Sequence, residues 1–397
     1  MIEGIGIGSL LGGLGLFLLG MLLMTDGLKQ AAGPALGRVL TSSTQTRLRG
    51  LASGVMVTAA VQSSSAVTVA AIGFVNAGLL TFSQSLWVLF GANIGSTMTG
   101  WLVALVGFKI QVEAAALPLV GLGMALRLTG ADTRRAAIGT ALTGFGVLFL
   151  GIGFLQASFA IDGGGLDLSG LGGGMLAVPL YVLAGALFTI LMQSSSASLA
   201  ITLTLAHAGS VSLTEAAAMV IGANIGTSVT AILAAIGATP NAKRAASAHV
   251  LFNVLTAAVA LVLLPWLLQG VALLGDVMDL EDSPAISLAL FHTVFNVLGV
   301  VLMWPLADRM SAALKRRFRS HDEGEGQPRY LDQNVATVPS LAVDALRRET
   351  FRLGRKATSA ARAGIARLLG QPLPDPDGGY EQLGRAIQGF VATLGRS

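Results

Sequence analysis

The sequence predicts an all-α polytopic membrane protein. It is built from two inverted-topology repeats, each with a re-entrant hairpin and a broken helix, followed by a short helical cytoplasmic tail. Three observations carry this reading. First, only 12% of the 397 residues are charged and 53% are hydrophobic, whereas a soluble chain carries about 25% charge. Second, two five-residue words recur at a single offset: Gln62-Ser63-Ser64-Ser65-Ala66 returns as Gln193-Ser194-Ser195-Ser196-Ala197, and Gly91-Ala92-Asn93-Ile94-Gly95 as Gly222-Ala223-Asn224-Ile225-Gly226, both 131 residues later. Third, equivalent connections carry opposite charge. Lys29, Arg38, Arg47 and Arg49 in 26–50 oppose Asp162 and Asp167 in 157–181, and Arg127, Arg134 and Arg135 after the first unit oppose Asp276, Asp279, Glu281 and Asp282 after the second. Basic loops stay inside, so the two units, about 13–127 and 144–258, insert upside down relative to each other.

Each element follows from these signals. The apolar run 4–24 is long enough to span ~30 Å of hydrocarbon, and with no basic n-region before it, no cleavable signal peptide is evident. It leads inward to the basic loop 26–50. Segment 51–76 is apolar but interrupted by Gln62 to Ser65. Unsatisfied polar groups cost several kcal/mol in hydrocarbon, and serine competes with the helix for backbone partners, so the chain turns there in a re-entrant hairpin. Full crossings or one long helix are the alternative. Spans 84–107 and 112–128 follow, then 135–156, the second hairpin 182–208, and spans 213–236, 245–268 and 284–305. This makes seven spans and two hairpins. Residues 1–130 form the first repeat, 131–308 the second repeat with the final span, and 309–397 the tail. The tail holds 15 basic and 9 acidic residues against 10 and 12 in the first 308, so it reads as a cytoplasmic appendage rather than a nucleic-acid binder.

The motifs carry chemistry. A helix starting at each Gln-Ser-Ser-Ser turn presents backbone N–H groups and hydroxyls, a ready anion site without charge. Two such tips entering from opposite sides meet near the midplane, where inverted-repeat transporters hold substrate. In the Gly-Ala-Asn-Ile-Gly words, glycines four apart suit an unwound helix. The freed carbonyls, Asn93 or Asn224, and the hydroxyls of Ser96, Thr97 and Thr99 or Thr227, Ser228 and Thr230 are hard oxygen ligands suited to Na⁺. Small-residue helix packing is the alternative for the glycines. Between residues 51 and 107 the sequence has no ionisable side chain, and 182–236 has only His207 and Glu215. An anion there meets no fixed positive charge, so co-bound cations supply the compensation. His249 with Asn253, and His292 with Asn296, each share a helix face; a polar helix–helix contact is the leading role, with a metal or proton-relay role the alternative. The glycine runs 163–165 and 172–174 read as outer loop. Cysteine is absent, which excludes disulfides and cysteine-bound metal, and with four histidines no transition-metal site is expected. A serine hydrolase needs a base near the nucleophile. No His, Lys or Asp stands in the matching place of both repeats, so the chain is not expected to be an enzyme. A channel is compatible with the motifs.

The paired words, together with Leu16-Phe17-Leu18-Leu19-Gly20-Met21, resemble the type II sodium-dependent phosphate cotransporters over about residues 5–305. The resemblance implies inorganic phosphate as substrate, Na⁺ as the co-transported ion with no covalent cofactor, and alternating access. Carried over by position, Ser63, Ser64, Ser65, Ser194, Ser195 and Ser196 would contact phosphate. Gln193, Ser194, Thr227 and Thr230, with Asn224, would hold sodium, and Gln62, Asn93, Thr97 and Thr99 would form the pseudo-symmetric site. Another small oxyanion, or phosphate export, is the alternative function. The short cysteine-free connection between repeats is like that of bacterial members, which implies a bacterial inner membrane with the C-terminus cytoplasmic. The expected partners are phosphate, Na⁺ and the bilayer, with no nucleic acid; a homodimer is one oligomeric state open to it. Tyr330-Leu331-Asp332, Pro339-Ser340-Leu341-Ala342 and the basic amphipathic stretch 344–369, whose apolar Leu346, Phe351, Leu353, Ile365 and Leu368 fit helices that bury one face, look like the start of a PhoU-like helical domain. A membrane-surface helix is the rival reading.

Overall fold

The computed structural model describes residues 2–109, 112–161, 177–280, 283–318, 328–331, 335, 339–368, 384 and 387–388. Among them every regular element is helical. The first repeat contains α1 (Ile2–Ala32), α2 (Pro34–Ser42), α3 (Arg47–Val61), α4 (Ser64–Asn76), α5 (Phe82–Gly95), α6 (Thr97–Lys109) and α7 (Val112–Thr129). The second contains α8 (Arg134–Ile161), α9 (Val178–Met192), α10 (Ser195–His207), α11 (Leu213–Gly226), α12 (Ser228–Ala234) and α13 (Pro240–Val262). Then come α14 (Leu264–Val277), α15 (Pro284–Arg317) and, in the tail, α16 (Pro339–Leu368). The expected outer-loop residues Asp162, Asp167 and both glycine runs lie outside the described residues, as do Glu281 and Asp282.

From Arg47 to Gly95 every helix boundary recurs 131 residues later, because the local chemistry recurs. Both α3 and α9 end on a glutamine in the left-handed region, Gln62 (φ 56°) and Gln193 (φ 51°). Both following helices are capped by an extended serine: Ser63 Oγ accepts from Ala66 N, and Ser194 Oγ from Ala197 N, each at 3.2 Å. Such a cap satisfies one of the helix's orphan amides. α5 and α11 begin with capping boxes, Thr81 with Gln84 and Ser212 with Glu215. So the expected interruptions at Gln62–Ser65 and Gln193–Ser196 are tight helix–turn–helix connections.

Close approach of paired helices depends on glycine. A Cβ on Gly20 of α1 would lie 2.1 Å from Leu148 N of α8, and one on its repeat counterpart Gly151 of α8 would lie 2.3 Å from Phe17 N. The two equivalent helices thus pack along each other at matched positions. In the repeated words, a Cβ on Gly91 would meet Leu51 O of α3 at 2.1 Å, and one on Gly222 would meet Val182 O of α9 at 1.9 Å. The glycines of both words therefore serve packing, the alternative held for them in sequence, rather than unwinding. Gly222→Ala is expected to destabilise the protein by about 1–3 kcal/mol through overpacking. Gly270→Ala, where nothing lies within 4 Å of the new Cβ, should leave thermal unfolding in detergent unchanged; an equal melting temperature for the two variants would refute this role.

Among the described residues, six helices are long and apolar enough to cross a membrane: Gly8–Ala32, Phe82–Leu105, Arg134–Ser158, Leu213–Ala234, Pro240–Val262 and Pro284–Arg317. The seventh expected span, 112–128, corresponds to α7, whose 18 residues include Pro118; at 1.5 Å per residue it reaches only about 27 Å. The expected span 245–268 is corrected. The helix stops at Val262 and α14 starts anew with Pro265 in its first turn, since proline lacks the N–H needed to continue a helix. The final span runs past 305 and carries Lys315, Arg316 and Arg317 in its own last turn. α13 and α15 are the central pair, in contact with helices of both repeats. The tail packs Tyr330, Leu341, Ala342 and Ala345 against Ala77 and Leu79 at the end of α4.

Candidate functional site

Both Gln-Ser-Ser-Ser turns open on one cavity of about 890 Å³, lined by Gln62 to Ala66 and by Gln193 to Ser196, with Thr230. Here α4 and α10 begin. By helix geometry the first-turn amides at Ser64, Ser65, Ser195 and Ser196 have no intrahelical acceptor, so two helix N-termini and their hydroxyls bear on one space. Ser194 Oγ also reaches Met21 Sδ at 3.5 Å, which ties the second tip to α1. All six expected serines thus stand together.

The cavity wall holds a feature the sequence reading missed. Asp26 and Lys29 of α1 also line it, paired at 3.6 Å. They are one helical turn apart and so share a face. The pair is formally neutral, so the fixed charge around the serines sums to zero, but a cation is within the cavity's perimeter. Loop placement by sequence had set both residues outside the site.

The candidate cation ligands divide between this cavity and a buried centre behind it. Thr99 Oγ1 donates to Gln62 Oε1 at 3.0 Å and lies 3.3 Å from Ser196 Oγ. With its one proton used on Gln62, it accepts from Ser196. One hydroxyl from the first broken helix therefore joins the tips of both repeats. Gln193 Nε2 donates to Ile190 O at 2.7 Å as Gln62 Nε2 does to Ala59 O at 2.6 Å, but the second copy otherwise differs: Gln193 is exposed, and Thr230 donates to Thr227 O at 2.7 Å rather than to the glutamine.

The breaks themselves are tight. Ser96 (φ −67°, ψ −19°) and Thr227 (φ −62°, ψ −20°) keep right-handed helical geometry, and hydrogen bonding shortens there, with Thr99 N donating to Ser96 O and Thr230 N to Thr227 O. The carbonyls expected to be freed already accept from neighbouring hydroxyls: Asn93 O from Ser96 (2.7 Å), Ile94 O from Thr97 (2.8 Å) and Asn224 O from Thr227 (2.6 Å). An unwound segment is thus corrected to a one-residue break. A second oxygen lone pair stays on each carbonyl. The 131-residue offset also makes Ser96, not Thr97, the counterpart of Thr227, and both donate to the asparagine carbonyl of their word.

The buried centre is Asn253 of α13, which is fully inaccessible. Its Oδ1 accepts from Asn93 Nδ2 at 3.2 Å and from Asn224 Nδ2 at 3.3 Å. Its Nδ2 donates to Thr227 Oγ1 at 3.1 Å and Ser228 Oγ at 3.2 Å, and His249 Nε2 lies 3.2 Å away. The two repeated asparagines, 131 residues apart, meet on one amide. This bears out the polar helix–helix contact expected of the pair for Asn253, whereas His249 meets Asn253 within α13 itself. The second pair differs: Asn296 Nδ2 turns back on His292 O at 2.8 Å, while His292 lines a small space beside Ser96, Ser195, Ser196 and Asn224. Asn253 was visible in sequence only as half of a His-x-x-x-Asn pair, with no repeat partner to mark it.

Comparison with known proteins places this geometry. The family model described as "Na+/Pi-cotransporter" matches residues 16–157 and 177–303. The chain is 35% identical over 297 residues to "Uncharacterized protein YqeW" of Bacillus subtilis, covering 74% of this chain and 92% of that protein. It is 30% identical over 352 residues to "Putative inorganic phosphate export protein YjbB" of Escherichia coli, covering 87% of this chain and 62% of the relative. A shorter match, 35% over 106 residues, links it to human "Sodium-dependent phosphate transport protein 2B", across 26% of this chain and 15% of that one. No solved structure matches. The family match spans most of the chain, including both serine turns and both asparagine words, and the chain belongs to the Na⁺/Pi-cotransporter family.

Proposed function

We propose that this protein couples the movement of inorganic phosphate to Na⁺ across a bacterial inner membrane by alternating access. One observation carries the reading: a single cavity receives the N-termini of α4 and α10 with six serines from two sequence repeats. Family membership supports phosphate and sodium as the transported species. Backbone amides and hydroxyls solvate an oxyanion without a buried countercharge. The Asp26–Lys29 pair sums to zero, so a second particle must balance the anion in low dielectric. Na⁺ beside Gln62, Thr99, Gln193, Ser194 and Thr230 meets that need with uncharged oxygens. Asn93, Asn224, Thr97 and Thr227 hold the breaks behind them.

The finer topology belongs to the same proposal. The opposite charge bias of equivalent loops supports two inverted repeats, with α3–α4 and α9–α10 as re-entrant hairpins. Lys315 to Arg317 at the end of α15 support a cytoplasmic tail. The chain spans 62% of the YjbB protein, and the basic helix α16 supports the PhoU-like reading of the tail. Export is the second reading, favoured by the name of that relative. Labelled phosphate uptake into proteoliposomes tests both. Uptake is expected with an inward Na⁺ gradient and not with K⁺ or choline. Equal rates in all three media would refute the coupling, and phosphate loss from loaded vesicles against no Na⁺ gradient would favour unaided export.

A further inference from the structure

Among the described residues lining the serine cavity, the charged side chains are Asp26 and Lys29. They end a stripe of α1 that faces this space. Leu18, Met21, Leu22, Thr25, Asp26 and Lys29 recur there at helical spacing, while Gly20 and Gly27 pack another face of the helix onto α8. Met21 touches Ser194 at the second tip. Lys29 lies about 12 Å farther along the helix at 1.5 Å per residue. The side chains of Asp26 and Lys29 are 59% and 39% exposed, whereas Ser64 and Ser196 are only 7% and 9% exposed. The ion pair therefore stands at the mouth of the cavity, with the serines in its depth. At the 131-residue offset its counterparts are Ala157 and Ala160, so the duplication does not account for it.

A half-exposed ion pair is weak. At 3.6 Å this one lies beyond hydrogen-bond distance, so its members exchange partners readily. An anion nearing the mouth attracts the ammonium and repels the carboxylate. Lysine suits such an exchange, because its ammonium is a compact charge with three donors on a flexible four-carbon stem. We propose that Lys29 is an outer anion station: it leaves Asp26 to take phosphate at the cavity mouth and hands it on to the serines. Asp26 restrains the station, because the closed pair is neutral and holds an anion only when the pair opens. The proposal rests on the phosphate-transport reading of this cavity and adds the contact that precedes the serines. Lys29 thus sets how much phosphate is needed to load the cavity, whereas the serines hold the anion once it is inside.

Exchange of labelled phosphate across proteoliposomes, with equal Na⁺ and phosphate on both faces, tests it. Each exchange cycle passes both ends of the path, so the orientation of the protein does not matter. Lys29→Gln is expected to raise the half-saturating phosphate concentration about two- to fivefold, as for a partly exposed charge, at an unchanged maximal rate. Lys29→Arg should restore it, and Asp26→Asn should lower it below that of the unaltered protein. Salt provides a readout that a packing role would not move. At fixed Na⁺, added choline chloride should raise half-saturation in the unaltered protein by screening and have little effect on Lys29→Gln. An unchanged half-saturation in Lys29→Gln, equal salt dependence in both proteins, or a rise in Asp26→Asn would each overturn the proposal. If the unaltered protein exchanges no phosphate, the transport reading fails instead. Equilibrium dialysis of labelled phosphate against the same variants in nanodiscs then decides the contact: binding weakened in Lys29→Gln upholds it, and binding that is absent or indifferent to Lys29 overturns it.

Discussion

Phosphate transport is expected to collapse when Ser64 and Ser195 are both replaced by alanine. Both residues line the shared cavity and open α4 and α10, yet neither is the capping residue; that role belongs to Ser63 and Ser194. Alanine at these positions keeps the helices and removes only hydroxyls. A hydrogen bond to a charged group contributes about 1.5–3 kcal/mol, so each single variant should lose roughly 10- to 150-fold in kcat/KM and the double variant more than either. Thermal unfolding should stay near that of the unaltered protein. Ser63→Ala provides the contrast, because it removes the cap to Ala66 N and should lower stability by about 1 kcal/mol. Uptake kinetics in proteoliposomes decide the matter, and normal kinetics in both single variants would remove the serine cavity from the mechanism.

Asn253→Ala should give the second large effect, and a different one. Its side chain is the acceptor for Asn93 and Asn224 and the donor to Thr227 and Ser228. Removing it leaves two buried amide groups without that acceptor, at about 1–3 kcal/mol for each unsatisfied group. The melting temperature should fall well below that of Asn93→Ala, which deletes one arm of the cluster. The Na⁺ dependence of uptake should also weaken in what protein folds, because both breaks lose their common anchor. Equal stability of the two alanine variants would show that Asn253 is a bystander and that each asparagine is satisfied elsewhere.

Much of this architecture was legible before any coordinates. Helix ends depend on short-range chemistry, so the polar Gln-Ser-Ser-Ser turns announce the starts of α4 and α10, while the capping boxes Thr81–Gln84 and Ser212–Glu215 that open α5 and α11 were not part of the sequence reading. Element limits were less legible where one residue overrides an apolar run. Pro265 divides what reads as one span into α13 and α14. The glycines of the asparagine words illustrate another limit. Gly-x-x-x-Gly suits either an unwound turn or a tight crossing, and only the carbonyls of Leu51 and Val182 against Gly91 and Gly222 choose between them.

The sequence by itself determined a low-charge helical membrane protein, its 131-residue duplication, and the two polar turns and two breaks where its chemistry is concentrated. Those are properties of neighbours along the chain, where caps, turns and hydropathy act over a few residues. Only the tertiary structure decided that both serine turns share one cavity, that Asp26 and Lys29 stand on its wall, and that Asn253 receives Asn93 from 160 residues away and Asn224 from 29. The physical reason is that a buried amide is satisfied by whichever partner packing brings within about 3 Å. Helix crossing geometry sets that partner, and the linear order of residues does not contain it.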